Sequence, residues 1–523
     1  MKKLTILLAL LFSFFLADAQ NLKKGNNSFE GAKLLLGNML NQNRLEFLYE
    51  DKAGYHVFCI DDPRKPKRKC HLLTIDKAMN TLTDKVIEGL DVKGYMGVSY
   101  ANGKVCIYGT EKKKQNLSFV QYTYNTKSSE LTSKIYHSYT GKSKSVNYDY
   151  RFNRSADGSK AVMAISELDG GANAPVKLFA FNADGAVLFS KNAPETKNPF
   201  AIIADASISN DGMVDLVCKT SVESEGKGKC RFGFFYVDFS KALPKQTSVE
   251  VIRVSAEKDL YYKQDYSQNV SNAYIKTLSD GSLAVVSVLN NGDIPCKYSL
   301  AKLGADLTEK WKAEHDFSDK FQPKVKECPF GMKLSLNGYN YNTVLIKDVV
   351  ELADGTLVVA GVQNGEYDIF FKTGTAFNYR FSFYGDFITY FVDKDGNSIA
   401  CHFVPYAGAG SANTDFMSYT DEYVTCNDFC ALPLSDGSGI ALLYNDRCDK
   451  TKSGYSTVNK CKDVCFYHTA VHKEGNDKPG VLNRGVDADG GRVIRKFFKV
   501  NGNKALINTC STKSGHFELI SER

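Results

Sequence analysis

One short phrase recurs along this chain about every 50 to 80 residues, and it restricts the fold more than any other feature. A Gly, usually preceded by Asp or Asn, opens a run of apolar and β-branched residues. The copies read YANGKVCIYG at Gly103, SADGSKAVMAIS at Gly158, SNDGMVDLVC at Gly212, LSDGSLAVVSV at Gly281, LADGTLVVAGV at Gly355 and LSDGSGIALLY at Gly437. Weaker copies stand at both ends, DKAGYHVFCI at Gly54 and VNGNKALINTC at Gly502. Self-similarity at a long period is the signature of stacked supersecondary units. Asp-Gly and Asn-Gly favour tight hairpin turns because Gly accepts positive φ. Each phrase therefore predicts a hairpin whose second strand is buried.

The copy at Gly281 resolves a whole unit. Asn272 to Leu278, Ser282 to Leu289, Cys296 to Leu303 and Leu307 to His315 read as four strands separated by Asp-, Asn- and Gly-containing turns. The copy at Gly158 repeats the plan with Tyr148 to Arg154, Ser159 to Ile165, Val176 to Phe181 and Ala186 to Lys191. Four antiparallel strands joined by short turns make the blade of a β-propeller. The second strand is the most continuously apolar, as expected where both faces are packed.

Eight signature glycines predict eight blades of about 63 residues over the 504 residues that follow residue 19, in preference to seven blades of 72. The last unit supplies only three strands, Arg492 to Val500, Asn503 to Cys510 and His516 to Ser521. A ring has no large open edge only if its last sheet closes on its first. The apolar run Ala32 to Leu36 is placed to be the missing fourth strand. With phrases such as LSDGSLAVVSV and FNADGAVLF in its blades, the chain resembles the secreted bacterial β-propeller repeat proteins. That resemblance covers nearly the whole chain and implies a fold. It does not imply an activity, since such proteins range from adhesion and assembly scaffolds to lyases and hydrolases.

Residues 1–19 read as an export signal. Lys2 and Lys3 precede an apolar run of 13 residues, Leu4 to Leu16, and Ala17-Asp18-Ala19 forms a small-x-small cleavage site before Gln20. That run is shorter than a membrane span, which needs ~20 apolar residues. Residues 20–523 then form a single exported domain, periplasmic, cell-surface or extracellular. Loss of Lys2, Lys3 and Asp18 lowers the formal charge from +7 to +6, too weak a balance to argue for nucleic acid. A local basic cluster, Arg64, Lys65, Lys67, Arg68 and Lys69 with Lys112 to Lys114 as a neighbour, reads as a solvated turn. Fourteen cysteines in an exported chain predict disulfides. Cys59 and Cys70, and Cys218 and Cys230, lie 11 and 12 residues apart, spacings that suit bridges across single hairpins.

No catalytic motif stands out. Cys461, Cys465, His468 and His472 would form a stripe of soft ligands on a helix, but VCFYHTAV favours a strand, which spreads the histidines ~13 Å apart. Asp393 to Asn397 and Asp487 to Gly490 resemble the opening of calcium loops, yet lack the later ligands and fall where the repeat demands a turn. No metal or cofactor is expected. Between the repeats, Glu257 to Asp265 suggests a helical turn, Tyr367 to Tyr390 a long aromatic strand pair, and Ala407 to Tyr423 a loop. Two function classes follow: a non-catalytic propeller binding a protein or glycan partner, and a propeller polysaccharide lyase or hydrolase with acidic groups in its channel. The contact residues expected for the first are Phe377, Tyr379, Phe383 and Tyr384 with the loop from Ala407 to Tyr423. The second requires titratable groups converging in the channel or in a pocket on one face.

Overall fold

In each unit the Asp-Gly phrase closes a tight turn, and the geometry explains the residue choice. The six well-formed copies hold their Gly at φ between +70° and +94°, where an L side chain is strained. At Gly158, Gly212, Gly281, Gly355 and Gly437 the Gly amide donates to the carbonyl three residues back, from Ser155, Ser209, Leu278, Leu352 and Leu434. The Asp before the Gly caps the turn. Asp157, Asp280, Asp354 and Asp436 each accept from the amide two residues on, at 2.8–2.9 Å. The same logic holds at Asp393 to Asn397, a turn in which Asp393 Oδ1 accepts from the Asp395 and Asn397 amides.

The computed structural model describes residues 21–24, 44–60, 69–79, 81–92, 94–141, 148–167, 176–198, 200–221, 228–232, 235–239, 247–322, 341–370, 378–406, 408–413, 429–447, 464–484, 493–500, 504–510 and 515–521. These form eight antiparallel blades, each built on four strands here lettered a to d from the channel outward, with a fifth strand in blade 6. Blade 5, for example, runs Asn269–Thr277, Leu283–Asn291, Ile294–Leu303 and Glu309–Asp316. No helix occurs among the described residues. The a strands touch one another around the ring, blade 8 to blade 1 included, and so line the central channel.

Packing shows why the ring has to close. Strand b of blade 1, Tyr55–Ile60, is buried at every position, and strand b of blade 5 at all but its last. Successive side chains of such a strand point to opposite faces, so each blade needs an apolar neighbour on both sides. The core is accordingly divided into eight clusters, one per blade-to-blade interface. Phe58 and Ile60 pack toward blade 2 while Val57 and Cys59 pack toward Phe498 and Leu506 of blade 8. Blades 7 and 8 meet through Leu432, Leu443, Ala505 and Ile507. Burial falls outward, and strand d of blade 3, Val187–Asn192, alternates exposed and half-buried positions.

Blade 8 is completed from the other end of the chain. Asn21–Lys24 pairs antiparallel with Gly515–Ser521, from Asn21 opposite Ser521 to Lys24 opposite Glu518. The closing strand is therefore N-terminal, as expected, but lies earlier than Ala32 to Leu36, which falls outside the described residues. An outermost strand needs backbone pairing, and the polar NLKK supplies it.

Two other expectations are corrected. Glu257 to Asp265 is not helical: Asp259–Asp265 is strand d of blade 4. The hairpin disulfides are not formed. Cys59 stands opposite His71 and Cys70 opposite Ile60, so the two thiols are one residue out of register and sit on opposite faces of the sheet, in different cores. Cys218 faces Ile203 and Glu250, because strand b of blade 4 pairs with Ser248–Val254. Cys230 belongs to an inserted hairpin, Gly228–Phe232 with Phe235–Phe239, and stands opposite Val237. Burial pushes the Cys218 thiol up to about 12, the state of an inert core residue.

Two outcomes test this architecture. Deleting residues 20–24 leaves Gly515–Ser521 as an open sheet edge, and calorimetry and light scattering are expected to show a lower melting temperature and faster aggregation. Unchanged values would mean that the closing strand contributes nothing. Alkylation of denatured, unreduced protein is expected to label Cys59, Cys70 and Cys218, whereas cross-linked Cys59–Cys70 or Cys218–Cys230 peptides would contradict the register.

Candidate functional site

Antiparallel blades give the propeller two unlike faces. Strands a and c run toward one face, which carries the a–b and c–d connections. Most of those are short, such as 155–159, 183–186, 278–282 and 393–397. Strands b and d end at the opposite face, from which the long connections depart: 61–69, 168–175, 222–247, 317–342, 371–377, 414–428 and 448–463. Residues 64–69 fall on the b–c connection of blade 1, and Lys112 to Lys114 lie at the end of strand b of blade 2 and the turn after it, both toward this second face.

Blade 6 extends furthest in that direction. Strands b and c, Leu357–Phe370 and Asn378–Val392, are the longest of the chain's described strands. Strand a ends where Thr343 meets Asn364, and b and c continue without it from Gly365 opposite Phe383 to Phe370 opposite Asn378. That continuation spans about 16–20 Å at the usual strand rise. The outer strand is split: Ser398–Val404 pairs with Phe387–Val392, and Gly408–Asn413 pairs with Tyr379–Tyr384. Gly385 marks the bend between them. A Cβ there would lie 2.2 Å from Gln363 Oε1 and 2.9 Å from the Tyr341 ring. Gln363 Oε1 accepts from the Asp386 amide at 3.0 Å, and Asp386 Oδ1 accepts from the Tyr406 amide at 3.2 Å.

The contact residues expected from sequence separate on this sheet. Phe383 is fully buried among Tyr341, Val344 and Tyr298 between blades 5 and 6, and Tyr384 is buried between blades 6 and 7. Both are core, because consecutive side chains on a strand held between two blades each meet a neighbour. Tyr379 lies on the extension, opposite Ile369 and Asn413. Phe377 lies outside the described residues. The aromatic stretch and the start of the Ala407 to Tyr423 loop are brought together as one sheet.

The channel wall carries what the sequence reading missed. In six of the eight a strands the register slips by one residue, at Phe47/Tyr49, Tyr95/Gly97, Ile203/Asp205, Val270/Asn272, Ile346/Asp348 and Ile494/Lys496. A β-bulge leaves backbone groups outside the ladder, and buried groups of that kind must find partners. Basic side chains take the freed carbonyls. Arg151 of blade 3 donates to Ala204 and Ile203 of blade 4 at 3.0 and 2.9 Å, Lys219 to Ser271 at 2.9 Å, and Arg154 to Leu48 and Phe47 of blade 1. After the bulge, Asp205, Asn272 and Asp348 each accept from the next amide at 2.8–2.9 Å.

Asp205 and Asp348 differ in electrostatics. Burial pushes Asp205 up to about 6 against the pull of the Ala206 amide and the Arg151 guanidinium. Its remaining contacts are Asn153 Nδ2 at 3.3 Å and the Ile275 amide at 3.4 Å. The Asn153, Ala206 and Ile275 donors come from blades 3, 4 and 5, the geometry of a staple between blades. Burial also raises Asp348, but Lys499 and Lys276 together outweigh it and hold the carboxyl below the usual range.

At the tight-turn face, Ser438, His472 and Asp477 form a hydroxyl–imidazole–carboxylate row. Ser438 Oγ lies 2.9 Å from His472 Nδ1, and His472 Nε2 lies 3.6 Å from Asp477. The carboxylate is beyond hydrogen-bonding distance. The Ser438 amide, a natural oxyanion donor, is already given to Asp436 at 2.8 Å. The row braces a turn. His468 and His472 lie on strand Val464–His472, as VCFYHTAV predicts, with His468 opposite Gly480 and His472 bound to Ser438.

A scan of protein-family models finds no match to the chain, and a search of curated proteins by sequence finds none either. Solved structures give distant likenesses. Sqt1 from Saccharomyces cerevisiae is 9% identical at a TM-score of 0.40, covering 91% of this chain and 95% of its own. Chaetomium thermophilum Sqt1, solved with the N-terminus of ribosomal protein L10, is 9% identical at 0.42 and covers 96% of this chain and 100% of its own. The polysaccharide lyase Uly1 is 10% identical at 0.33, covering 83% and 93%. Identities and scores this low carry no argument about chemistry.

Asp205 generates a pH test. Its folded value stands above that of an ordinary carboxylate, so its contribution to stability is fully present below about pH 4 and is lost as pH rises through 6. Replacement by Asn keeps the shape and removes the titration. The stability difference between parent and Asp205→Asn is expected to move by up to about 3 kcal/mol in favour of the variant between about pH 4 and 7. A difference that stays constant over that range would show that Asp205 is not perturbed.

Proposed function

We propose that this protein is an exported, non-catalytic propeller that binds a protein or glycan partner through its long-loop face, with the blade 6 extension as the principal contact. The observation that carries this reading is the asymmetry of the two faces. Tight turns occupy one face almost uniformly, and the extra sequence departs from the other, where six rungs of blade 6 stand clear of strand a. Long connections on a rigid scaffold are where recognition residues concentrate. The channel supports the same reading. Its titratable groups converge, but Asp205, Arg151 and Asp149 are committed to one another and to neighbouring backbones. In the Ser438 row the Ser438 amide is already given to Asp436, and Asp477 lies 3.6 Å from the imidazole. Export rests on the N-terminal sequence alone, through Lys2, Lys3, the apolar Leu4 to Leu16 and the Ala17-Asp18-Ala19 site.

Excising residues 366–382 and joining Gly365 to Phe383 through Asn-Gly removes the extension at a point where the two strands are already paired. On a glycan array and an envelope-protein overlay, the parent is expected to retain specific ligands and the excised variant to lose them at least tenfold. The melting temperature should be the same within a few degrees. Retention of every ligand by the variant would sink the blade 6 assignment. Turnover of any polysaccharide by the parent would sink the non-catalytic reading.

A further inference from the structure

Asp348 of blade 6 is the meeting point of two lysines from distant blades. Lys276 of blade 5 donates to its Oδ1 at 2.6 Å, and Lys499 of blade 8 reaches its Oδ2 from across blade 7. The carboxylate side chain is only 12% exposed, whereas the two lysine side chains remain 34% and 37% exposed. Two ammonium groups on one carboxylate leave a net positive charge. A third cation, Lys347, immediately precedes Asp348 on the same strand and opposes Lys499 electrostatically.

The other carboxylates of the channel wall nearby are committed elsewhere. Asp149 holds Arg151 at 2.8 Å, and Asp205 accepts from Asn153, from the Ile275 amide and from its own next amide, with the Arg151 guanidinium attracting it electrostatically. The lysines retain bonding capacity. An ammonium has three donors, and Lys276 uses one on Asp348 and one on the Val349 carbonyl at 2.8 Å. Lys499 makes its described hydrogen bond to Asp348 alone. A local excess of one charge on a concave, low-dielectric wall concentrates counter-ions.

From this geometry we infer a second site, independent of the long-loop face: an oxyanion seat in the channel, formed by Lys276 and Lys499 and shaped by Asp348. Its ligand is a sulfate, phosphate or carboxylate group that bridges the two ammonium groups through their remaining donors. Asp348 fixes the lysines in place and also competes with the ligand for them. That double role yields opposite signs for two substitutions. Lys499→Gln removes a donor and a charge. Asp348→Asn removes the competing charge, leaves both lysines and keeps an oxygen for the Val349 amide.

The test is isothermal titration calorimetry with sodium sulfate, inorganic phosphate and trigalacturonate, run in sodium chloride at matched ionic strength. Trigalacturonate separates a polysaccharide acid group from a free inorganic ion as the preferred source. The expected result is saturable binding of at least one oxyanion to the parent, at least tenfold weaker binding to Lys499→Gln, and several-fold tighter binding to Asp348→Asn. No binding beyond the chloride blank overturns the seat, and so does undiminished affinity in Lys499→Gln or weaker affinity in Asp348→Asn. Lys499 is over a third exposed, so its variant is expected to fold; if it does not, Asp348→Asn alone decides the sign. The blade 6 excision leaves all three residues in place, so loss of loop-face ligands and loss of oxyanion binding are separate outcomes.

Discussion

Burial of both faces of every blade is the constraint on which the rest of this structure depends. A sheet with one apolar face is satisfied by one neighbour. Here strand b is buried at nearly all positions, so both faces need partners and no blade can be terminal. The eight apolar clusters are the outcome, including the one between Phe498 and Leu506 of blade 8 and Val57 and Cys59 of blade 1. Apolar burial of this kind is worth roughly 25 cal/mol per Å², so an open ring would forgo one whole interface. Asn21–Lys24 caps a backbone edge, which is why a polar segment can serve.

Inside the ring the problem is reversed. Eight first strands crowd around one axis, and bulges in six of them leave carbonyls without ladder partners. Arg151, Arg154 and Lys219 answer that need, each bonding to a backbone on another blade. The wall is therefore held by charge-assisted bonds as well as by packing, and such bonds are the stronger kind. Asp348 shows how far this goes, since blades 5, 6 and 8 are joined through one carboxylate. The buried bidentate pair of Asp215 with Arg253, at 2.7 and 3.0 Å, performs a similar task farther out, as Arg253 also donates to the Ala305 carbonyl of blade 5.

Much of this was legible from residues in order. The Asp-Gly phrase states a turn chemistry that depends on only four consecutive residues, so blade number, strand order, the strands of blades 3 and 5 and the three C-terminal strands of blade 8 could all be read. The strand assignment of VCFYHTAV and the turn at Asp393 rest on equally local grounds. The disulfides could not be read, since a spacing of 11 residues does not say whether two cysteines face each other, and one step of register put Cys59 and Cys70 on opposite faces. Nor could the closing strand be located. An edge strand carries no apolar signal, and the more apolar Ala32 to Leu36 drew the assignment instead.

The amino-acid sequence by itself determined the repeat, the turns and the burial of the second strands, because each is set by neighbours a few residues away. Tertiary structure alone decided which face carries the long connections, which aromatic residues became core, and which charges meet. Lys276, Asp348 and Lys499 are separated by 72 and 151 residues and share no local pattern. Their meeting required a closed ring, since only closure sets blade 8 at a fixed distance across the channel from blade 6. Phe383 and Tyr384 were likewise ambiguous until two blades stood on either side of them. The physical reason is the same in each case: chain connectivity specifies a blade, and only the packing of blade on blade specifies what a side chain faces.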